Sequence, residues 1–366
     1  MQFNDLHRQY SAYKNEIDEA IQQVLNSANY IHGEEVALLE QELAAYTGVK
    51  HAISCASGTD ALLLSLMALD LQPGEEVICP AFSFISPASM ARMLAATPVF
   101  VDISPVDFNI NVEKIEAKIT SRTKAIIGVS LFGQCADFHA IQSLAEQYGL
   151  WTIEDGAQSF GANYFGKKSG SLTDLATTSF FPAKPLGCYG DGGTVFTNND
   201  VLAEKLRALK SHGQTMRYQH QLIGLNSRLD TIQAAILRVK LKHLNEEIKA
   251  RQKVAATYKQ LLPEGILLPE LAAGRESTWA QFTIGLGNRD EAKAYLAAKG
   301  IPTNIYYPLP LPFQEVFTGL GEGGESFEVA SLLSETVLSL PMHAFLRPEE
   351  IEYIAQTLKD CIENGN

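Results

Sequence analysis

A lysine set in a turn of prolines and glycines is the residue of this chain best placed for covalent chemistry. Lys184 lies in the run Ser179-Phe-Phe-Pro-Ala-Lys-Pro-Leu-Gly-Cys-Tyr-Gly-Asp-Gly-Gly193, between two strand-like stretches, 176–181 and 193–197. Pro182 and Pro185 stiffen the turn, because each fixes its own φ and Pro185 also restricts Lys184. The glycines that follow permit tight backbone paths and close approach of another group. An amine held among apolar and aromatic neighbours loses solvation, which lowers its pKa and makes it nucleophilic. A lysine that forms a Schiff base needs that property. A surface lysine in a loop has the same local sequence, so the rest of the chain must decide.

Three other turns carry chemical groups. The turn Ala56-Ser-Gly-Thr-Asp-Ala61 ends a strand and opens a helix, with Thr59 or Asp60 as the expected cap. A helix start preceded by small residues offers free N–H groups and a favourable dipole end to a phosphate. An N-capped helix with no ligand fits the same residues. In Glu154-Asp-Gly-Ala-Gln158, Asp155 ends a buried strand, where its charge is costly unless something positive meets it. A protonated pyridine nitrogen is one candidate; an arginine or a capping role is the other. Gly156 and Ala157 leave room for a flat ring. In Pro80-Ala-Phe-Ser-Phe84, Phe82 or Phe84 could stack on a planar group or pack in the core. Ser179, five residues before the lysine, could hold a phosphate or bond to nearby backbone. Together these turns supply an anion cradle, a carboxylate, a stacking ring and an amine, which is the equipment for pyridoxal phosphate.

The elements that must position these groups follow a strand–helix rhythm. Two helical segments occupy the first ~46 residues, the second starting near Glu34 and ending at Gly48. Strand candidates are His51–Cys55, Glu76–Cys79, Thr97–Val101, Ala125–Ser130, Trp151–Glu154, Ala176–Phe181 and Gly193–Thr197, with helices at 61–69, 87–94, 112–119 and 140–148 between them. The alternation predicts an α/β fold with a large, mostly parallel sheet, whose ligands sit beyond the carboxyl ends of the strands. A long helix is expected over 229–261, with a break near Leu244. The remainder reads as a smaller C-terminal α/β unit, with strands at 280–284 and 303–307 and helices at 289–298, 326–338 and 348–364. Gly319 to Gly324 reads as a flexible loop. The expected division is a large domain, residues 1–245, and a small domain, residues 246–366.

The sequence resembles the DegT/DnrJ/EryC1/StrS nucleotide-sugar aminotransferases. The resemblance is carried by Phe3-Asn-Asp-Leu6, Ser57-Gly-Thr-Asp-Ala-Leu62, Glu154-Asp-Gly-Ala-Gln158, Ser179-Phe-Phe-Pro-Ala-Lys184, Gly190-Asp-Gly-Gly193, Asn226-Ser-Arg-Leu-Asp230 with Gln233-Ala-Ala, and Tyr306-Tyr-Pro308. Within the family it looks most similar to WbpE-like enzymes, which act on UDP-2-acetamido-2-deoxy-3-keto-glucuronic acid. The resemblance implies the aspartate aminotransferase fold (fold type I) with pyridoxal 5'-phosphate as cofactor and L-glutamate as amino donor. Lys184 would form the Schiff base, Asp155 would pair with the pyridine nitrogen, Gln158 would lie near the ring hydroxyl and Phe84 would stack on the ring. Gly58, Thr59, Asp60 and Ser179 would surround the phosphate. Asn226 would reach the phosphate from the neighbouring subunit of a homodimer. Arg228 would grip a substrate carboxylate or form an ion pair with Asp230 or another acid; Tyr306 and Tyr307 would contact the sugar, and His343, like His212, would either touch the sugar or make core or loop hydrogen bonds. Departures are Pro185, where many relatives have Asn, and Tyr306, where many have His. Surface polysaccharide assembly is the implied setting. Amination at C3 or C4 of another UDP- or dTDP-keto-deoxysugar, or a non-enzymatic pyridoxal-phosphate-binding regulator, are the competing readings.

Composition narrows the classes. A formal net charge of -13 over 366 residues argues against nucleic-acid binding, and an anionic substrate then needs locally placed cations. Five scattered cysteines fit neither a zinc site nor a disulfide framework, which points to a reduced, cytoplasmic setting. No apolar run is long enough to span a bilayer, and the first residues do not resemble a signal peptide. The stretch Gly161–Lys167 nearly matches a phosphate-binding loop, but Lys168 stands where Ser or Thr is required.

Overall fold

The computed structural model describes residues 1–320 and 326–364. Helices α1 (Leu6–Ser27) and α2 (Glu34–Thr47) come first, and Gly48 ends α2 in the left-handed region at φ 81°. Then follow β1 (His51–Cys55), α3 (Gly58–Ala68), β2 (Glu76–Pro80), α4 (Ser86–Met93), β3 (Thr97–Val101), β4 (Thr123–Val129), α5 (Phe138–Tyr148) and β5 (Trp151–Asp155). A hairpin of β6 (Asn163–Tyr164) and β7 (Lys167–Lys168) leads to β8 (Leu175–Ser179), β9 (Gly193–Thr197) and α6 (Asp200–Leu209). A second hairpin, β10 (Gln214–Met216) and β11 (Gln219–His220), precedes the long helix α7 (Thr231–Leu261). The C-terminal part holds β12 (Arg275–Glu276), β13 (Phe282–Gly285), α8 (Arg289–Ala298), α9 (Glu328–Thr336), β14 (Val337–Leu340) and α10 (Pro348–Asn364).

The main sheet has seven strands in the order β1-β9-β8-β5-β4-β2-β3. β8, β5, β4, β2 and β3 run parallel, while β9 is antiparallel to both β8 and β1. β1 therefore points the same way as β8. The turns that follow β1, β2, β5 and β8 open on one edge of the sheet, where ligands of such sheets bind. The strands read as continuous apolar runs because helices cover both faces: Ile126 and Ile127 of β4 are both fully buried, in different core clusters.

A smaller core gathers Phe282, Ile284, Leu338 and Leu340 of the antiparallel β13–β14 pair with α8, α10 and the last turns of α7. Helix α7 runs unbroken through Leu244. It contributes Ala234, Leu237 and Leu244 to one core and Val254, Ala255 and Tyr258 to the small one.

Several local expectations need correction. Ser57, not Thr59 or Asp60, caps α3, its hydroxyl accepting the Asp60 N–H at 3.0 Å, so the helix starts at Gly58. Residues 112–119 form two short 3-10 turns, Val112–Lys114 and Glu116–Lys118, because Asn111 caps the first and neither continues. The stretch 303–307 makes one isolated bridge, Asn304 to Ser339, while the strand that pairs with β13 is β14. Helix α9 stops at Thr336, where Val337 turns extended and leads the buried strand 337–340 into the sheet. The near-match to a phosphate loop is the β6–β7 hairpin. The loop expected from Gly319 to Gly324 lies mostly outside the described residues.

Candidate active site

Lys184 projects from the tightest part of the turn between β8 and β9. Its own N–H closes onto Phe181 O at 2.9 Å, and Cys188 N–H onto Phe180 O at 2.8 Å. Gly187 is required by packing, since a Cβ there would lie 2.4 Å from Pro182 O. Underneath, α7 grips the turn: Lys240 Nζ donates to Gly187 O at 2.6 Å and Gln233 Oε1 accepts Tyr189 N–H at 2.8 Å. The Lys184 amine itself makes no hydrogen bond and no ion pair among the described residues. Burial lowers its pKa, and the negative charge of Asp155 opposes that shift.

Asp155 ends β5 and is 6% exposed. Its Oδ1 accepts the Ala157 N–H at 3.0 Å. Burial raises its pKa, opposed by that N–H and by Lys184. The amine and the carboxylate thus push each other toward the charged forms that burial disfavours. Gln158 is locked by two contacts: its Oε1 accepts Phe132 N–H at 2.7 Å and its Nε2 donates to Tyr307 Oη at 3.2 Å. Burial drives the Tyr307 hydroxyl upward, so it stays protonated. Phe82 is buried edge-on against Tyr307, whereas Phe84 is 53% exposed with its ring 6.4 Å from that of Tyr307. Of the two aromatic candidates, Phe84 is therefore the one with a free face. Gly156 is required by packing, since a Cβ there would meet Ser169 Oγ at 2.9 Å and Thr177 O at 3.0 Å.

The start of α3 lies against the end of β8. A Cβ on Gly58 would sit 2.6 Å from Ser179 Cβ, so only glycine allows this approach. Ser57 occupies the Asp60 N–H, and the N–H groups of Gly58 and Thr59 have no partner among the described residues. Thr59 Oγ1 pairs with Ser86 Oγ at 3.0 Å, and Ser179 Oγ accepts Phe181 N–H at 3.2 Å. The Asp60 carboxylate turns to Ser227, whose hydroxyl donates to Oδ2 at 2.6 Å.

Ser227, fully buried, anchors the loop that carries Asn226 and Arg228. Its hydroxyl also accepts Ala56 N–H at 3.2 Å, and its own N–H donates to Lys210 O at 2.9 Å. Arg228 Nε donates to Asn226 Oδ1 at 2.7 Å, and the guanidinium makes no ion pair among the described residues, with Asp230 or any other acid. Arg228 lines an open cleft of about 260 Å³ with His32, His212 and Arg217, and neither Lys184 nor Asp155 is part of it. The cleft is a local concentration of cationic and imidazole groups on an acidic protein.

Tyr306 is half-buried and its hydroxyl accepts from Asn304 Nδ2 at 3.3 Å. His343 is 2% exposed and presents almost no surface to a ligand. Its Nδ1 has no partner, and burial beside the positive charge of Arg251 lowers its pKa to about 4. It sits among core groups, away from an open face.

Sequence reasoning missed Ser227, His32 and Glu154. Glu154, fully buried on β5, accepts from Ser130 Oγ, Ser169 Oγ and Gly170 N–H, and burial pushes its pKa to about 7. The signal for Glu154 was its place beside Asp155 in a two-sided strand. Among the described residues no group of His, Cys, Asp or Glu is arranged to hold a metal, and no helix is long and apolar enough to cross a membrane.

A desolvated amine without a partner, a buried carboxylate with one hydrogen bond, a free aromatic face and a helix start with two open N–H groups fit pyridoxal phosphate. The fold and these strand-end groups define a pyridoxal-phosphate enzyme. Residues 11–359 match the model of the DegT/DnrJ/EryC1/StrS aminotransferase family. The chain belongs to that family and is a pyridoxal-phosphate-dependent nucleotide-sugar aminotransferase. It is 48% identical over 359 residues to the UDP-2-acetamido-2-deoxy-3-oxo-D-glucuronate aminotransferase of Pseudomonas aeruginosa, covering 98% of this chain and 99% of that protein. A pleiotropic regulatory protein of Geobacillus stearothermophilus is 45% identical, covering 97% of both. The UDP-N-acetyl-3-dehydro-alpha-D-glucosamine 3-aminotransferase of Acidithiobacillus ferrooxidans is 44% identical, covering 97% of this chain and 96% of that protein. The crystal structure of a DegT DnrJ EryC1 StrS aminotransferase from Brucella abortus superposes with a TM-score of 0.95 at 43% identity, covering 98% of this chain and 99% of that one.

Proposed function

We propose that the protein moves an amino group from L-glutamate to C3 of UDP-2-acetamido-2-deoxy-3-keto-glucuronic acid, as a cytoplasmic homodimer that serves surface polysaccharide synthesis. The observation that carries the substrate choice is the Arg228 guanidinium, unpaired in a cationic cleft, where a sugar carboxylate would find a bidentate partner. Two relatives named for amination at C3 of UDP-sugars, at 48% and 44% identity, support it.

Lys184 would hold the cofactor through its amine and, once freed, would carry a proton on Nζ between substrate and cofactor. Its desolvation favours the neutral amine that this base role needs. Bound pyridoxal phosphate supplies the carbonyl that takes up nitrogen and the electron sink that makes such a proton removable. Asp155 would keep a positive charge on the ring nitrogen, Gln158 would lie near the ring hydroxyl and Phe84 would cover a flat face. Gly58 and Thr59 N–H groups and the Ser179 hydroxyl hold the phosphate; Asp60 acts through Ser227 by fixing the Asn226 loop. That loop would serve the site of the partner subunit, a reading supported by its cleft sharing no residue with the Lys184 cluster. Tyr306 and Tyr307 would face the sugar, while His343 is buried in the core.

The test is amination of the UDP-3-keto-glucuronic acid by purified protein with glutamate, read as aminated sugar and 2-oxoglutarate. Product formation is the expected result. Cofactor-loaded protein that accepts nitrogen from glutamate but aminates only 4-keto or dTDP sugars would overturn the substrate. Protein that holds the cofactor and transaminates no keto-sugar would favour a regulatory role, a class that includes one relative's name.

A further inference from the structure

The run from Phe3 to Leu6 has no task in the reading above. The Asn4 side-chain amide donates to Ala183 O at 3.1 Å, one residue before Lys184. The adjacent Phe3 carbonyl accepts Met342 N–H at 3.1 Å, one residue before His343, and the Phe3 ring meets Tyr306 edge-on at 6.2 Å. Asp5 then caps α1 by accepting Arg8 N–H at 3.0 Å. Three consecutive residues therefore touch the lysine turn, the C-terminal part and the first helix.

The need for an outside donor follows from the turn's own sequence. Pro182 and Pro185 have no N–H, so the turn has few donors for its own carbonyls. The clamps from α7 act beyond the lysine, at Gly187 and Tyr189. Among the described residues, the Asn4 amide is the hydrogen bond that ties residues 182–184 to another part of the chain.

We infer that Asn4 is a positioning residue for Lys184, and that the Phe3–Asn4 strap ties the height of the amine to the C-terminal segment that carries Tyr306 and Met342. The inference rests on the reading of Lys184 as the cofactor-binding amine. Misplacement of a reacting group by about 1 Å costs up to roughly a hundredfold in rate, and loss of one brace should cost less than that.

The experiment compares wild type, Asn4→Ala, Asn4→Asp and Asp5→Ala, each loaded with pyridoxal phosphate. Three quantities are read: the pH midpoint of the visible absorbance of the lysine–cofactor linkage, kcat and KM for the keto-sugar, and the thermal midpoint. Asn4→Asp keeps the size but cannot donate to Ala183 O. Both Asn4 variants should move the absorbance midpoint by about half a pH unit or more and lower kcat roughly tenfold with little change in KM. Asp5→Ala, which removes the helix cap and the ion pair with Arg8 but no contact to the lysine turn, should lower the thermal midpoint and leave the absorbance midpoint in place. Asn4 variants with the wild-type absorbance midpoint and kcat, whether or not they melt earlier, would overturn the inference. Wild-type protein that takes up no pyridoxal phosphate on Lys184 would instead overturn the reading beneath it.

Discussion

The turn around Lys184 and the loop around Arg228 are built in opposite ways. The lysine turn is fixed from within the chain by its own backbone, by Lys240 and Gln233 of α7 and by Asn4. Of its partner groups, Asp155 ends a buried strand of the same sheet and Gln158 lies in the turn that follows. The arginine loop is anchored at Ser227, on Asp60, Ala56 and Lys210, while the side chain of Arg228 lines an open cleft. A group that handles a cofactor common to a whole family can be set rigidly by strand ends. A group that selects one sugar among many sits on a loop, where side chains change without disturbing the core.

That contrast can be broken by substitution. Lys184→Ala should lose about ten-thousandfold in turnover, with the cofactor held only non-covalently, as single-turnover absorbance would show. Mixing Lys184→Ala with Arg228→Ala subunits should restore about a quarter of wild-type activity if the two groups serve one site from different subunits. Mixed subunits that stay inactive, from variants that each form dimers, would place both groups in one chain's site. Asp155→Asn should cost roughly a hundredfold or more in turnover, while steady-state binding of the keto-sugar changes little. Arg228→Ala should raise KM for a carboxylated keto-sugar by about ten- to a hundredfold, yet leave the half-reaction with glutamate less affected. Equal loss on sugars with and without the carboxylate would remove the clamp.

A smaller effect sharpens the same comparison through stability. The folded-state pKa of Glu154 is raised from 4.5 to about 7, so the folded state holds a proton that the unfolded state releases, and stability falls as pH rises through that interval. The full loss is on the order of 3 kcal/mol. His343 works the other way: its folded pKa is lowered from 6.5 to about 4, so stability falls as pH drops from 6.5 toward 4. The two offset each other between about 4.5 and 6.5. Glu154→Gln should therefore unmask a rise in thermal midpoint across that range and abolish the decline toward pH 7. A melting profile parallel to wild type would show that Glu154 does not titrate there.

The cofactor side was legible in the sequence because strand ends and small-residue turns leave a local signature. Lys184, Asp155, Gly58 and Ser179 stand at the ends of apolar runs, and the sheet brings those ends to one edge. Phe84 could not be told from Phe82 by pattern; only burial separates them. The cap at Ser57 was misplaced because three hydroxyl or carboxyl residues compete within four positions. The link from Asp60 to Ser227 spans 167 residues and leaves no trace in any local window. The first two residues of β14 were read as the end of a helix because a strand of four residues carries too little period of its own. The place of His343 in a family-like stretch left a sugar contact and a core role both open, because its packing beside Arg251 is set by chain segments far apart in sequence.

The measurement that bears most directly on the account is chemical mapping of the cofactor linkage. The purified protein is incubated with pyridoxal 5'-phosphate, reduced with borohydride, digested and analysed by mass spectrometry. The account predicts a phosphopyridoxyl group on the peptide that contains Lys184, and its loss when L-glutamate is added before reduction. Label on another lysine, or none on protein that remains folded, would contradict it.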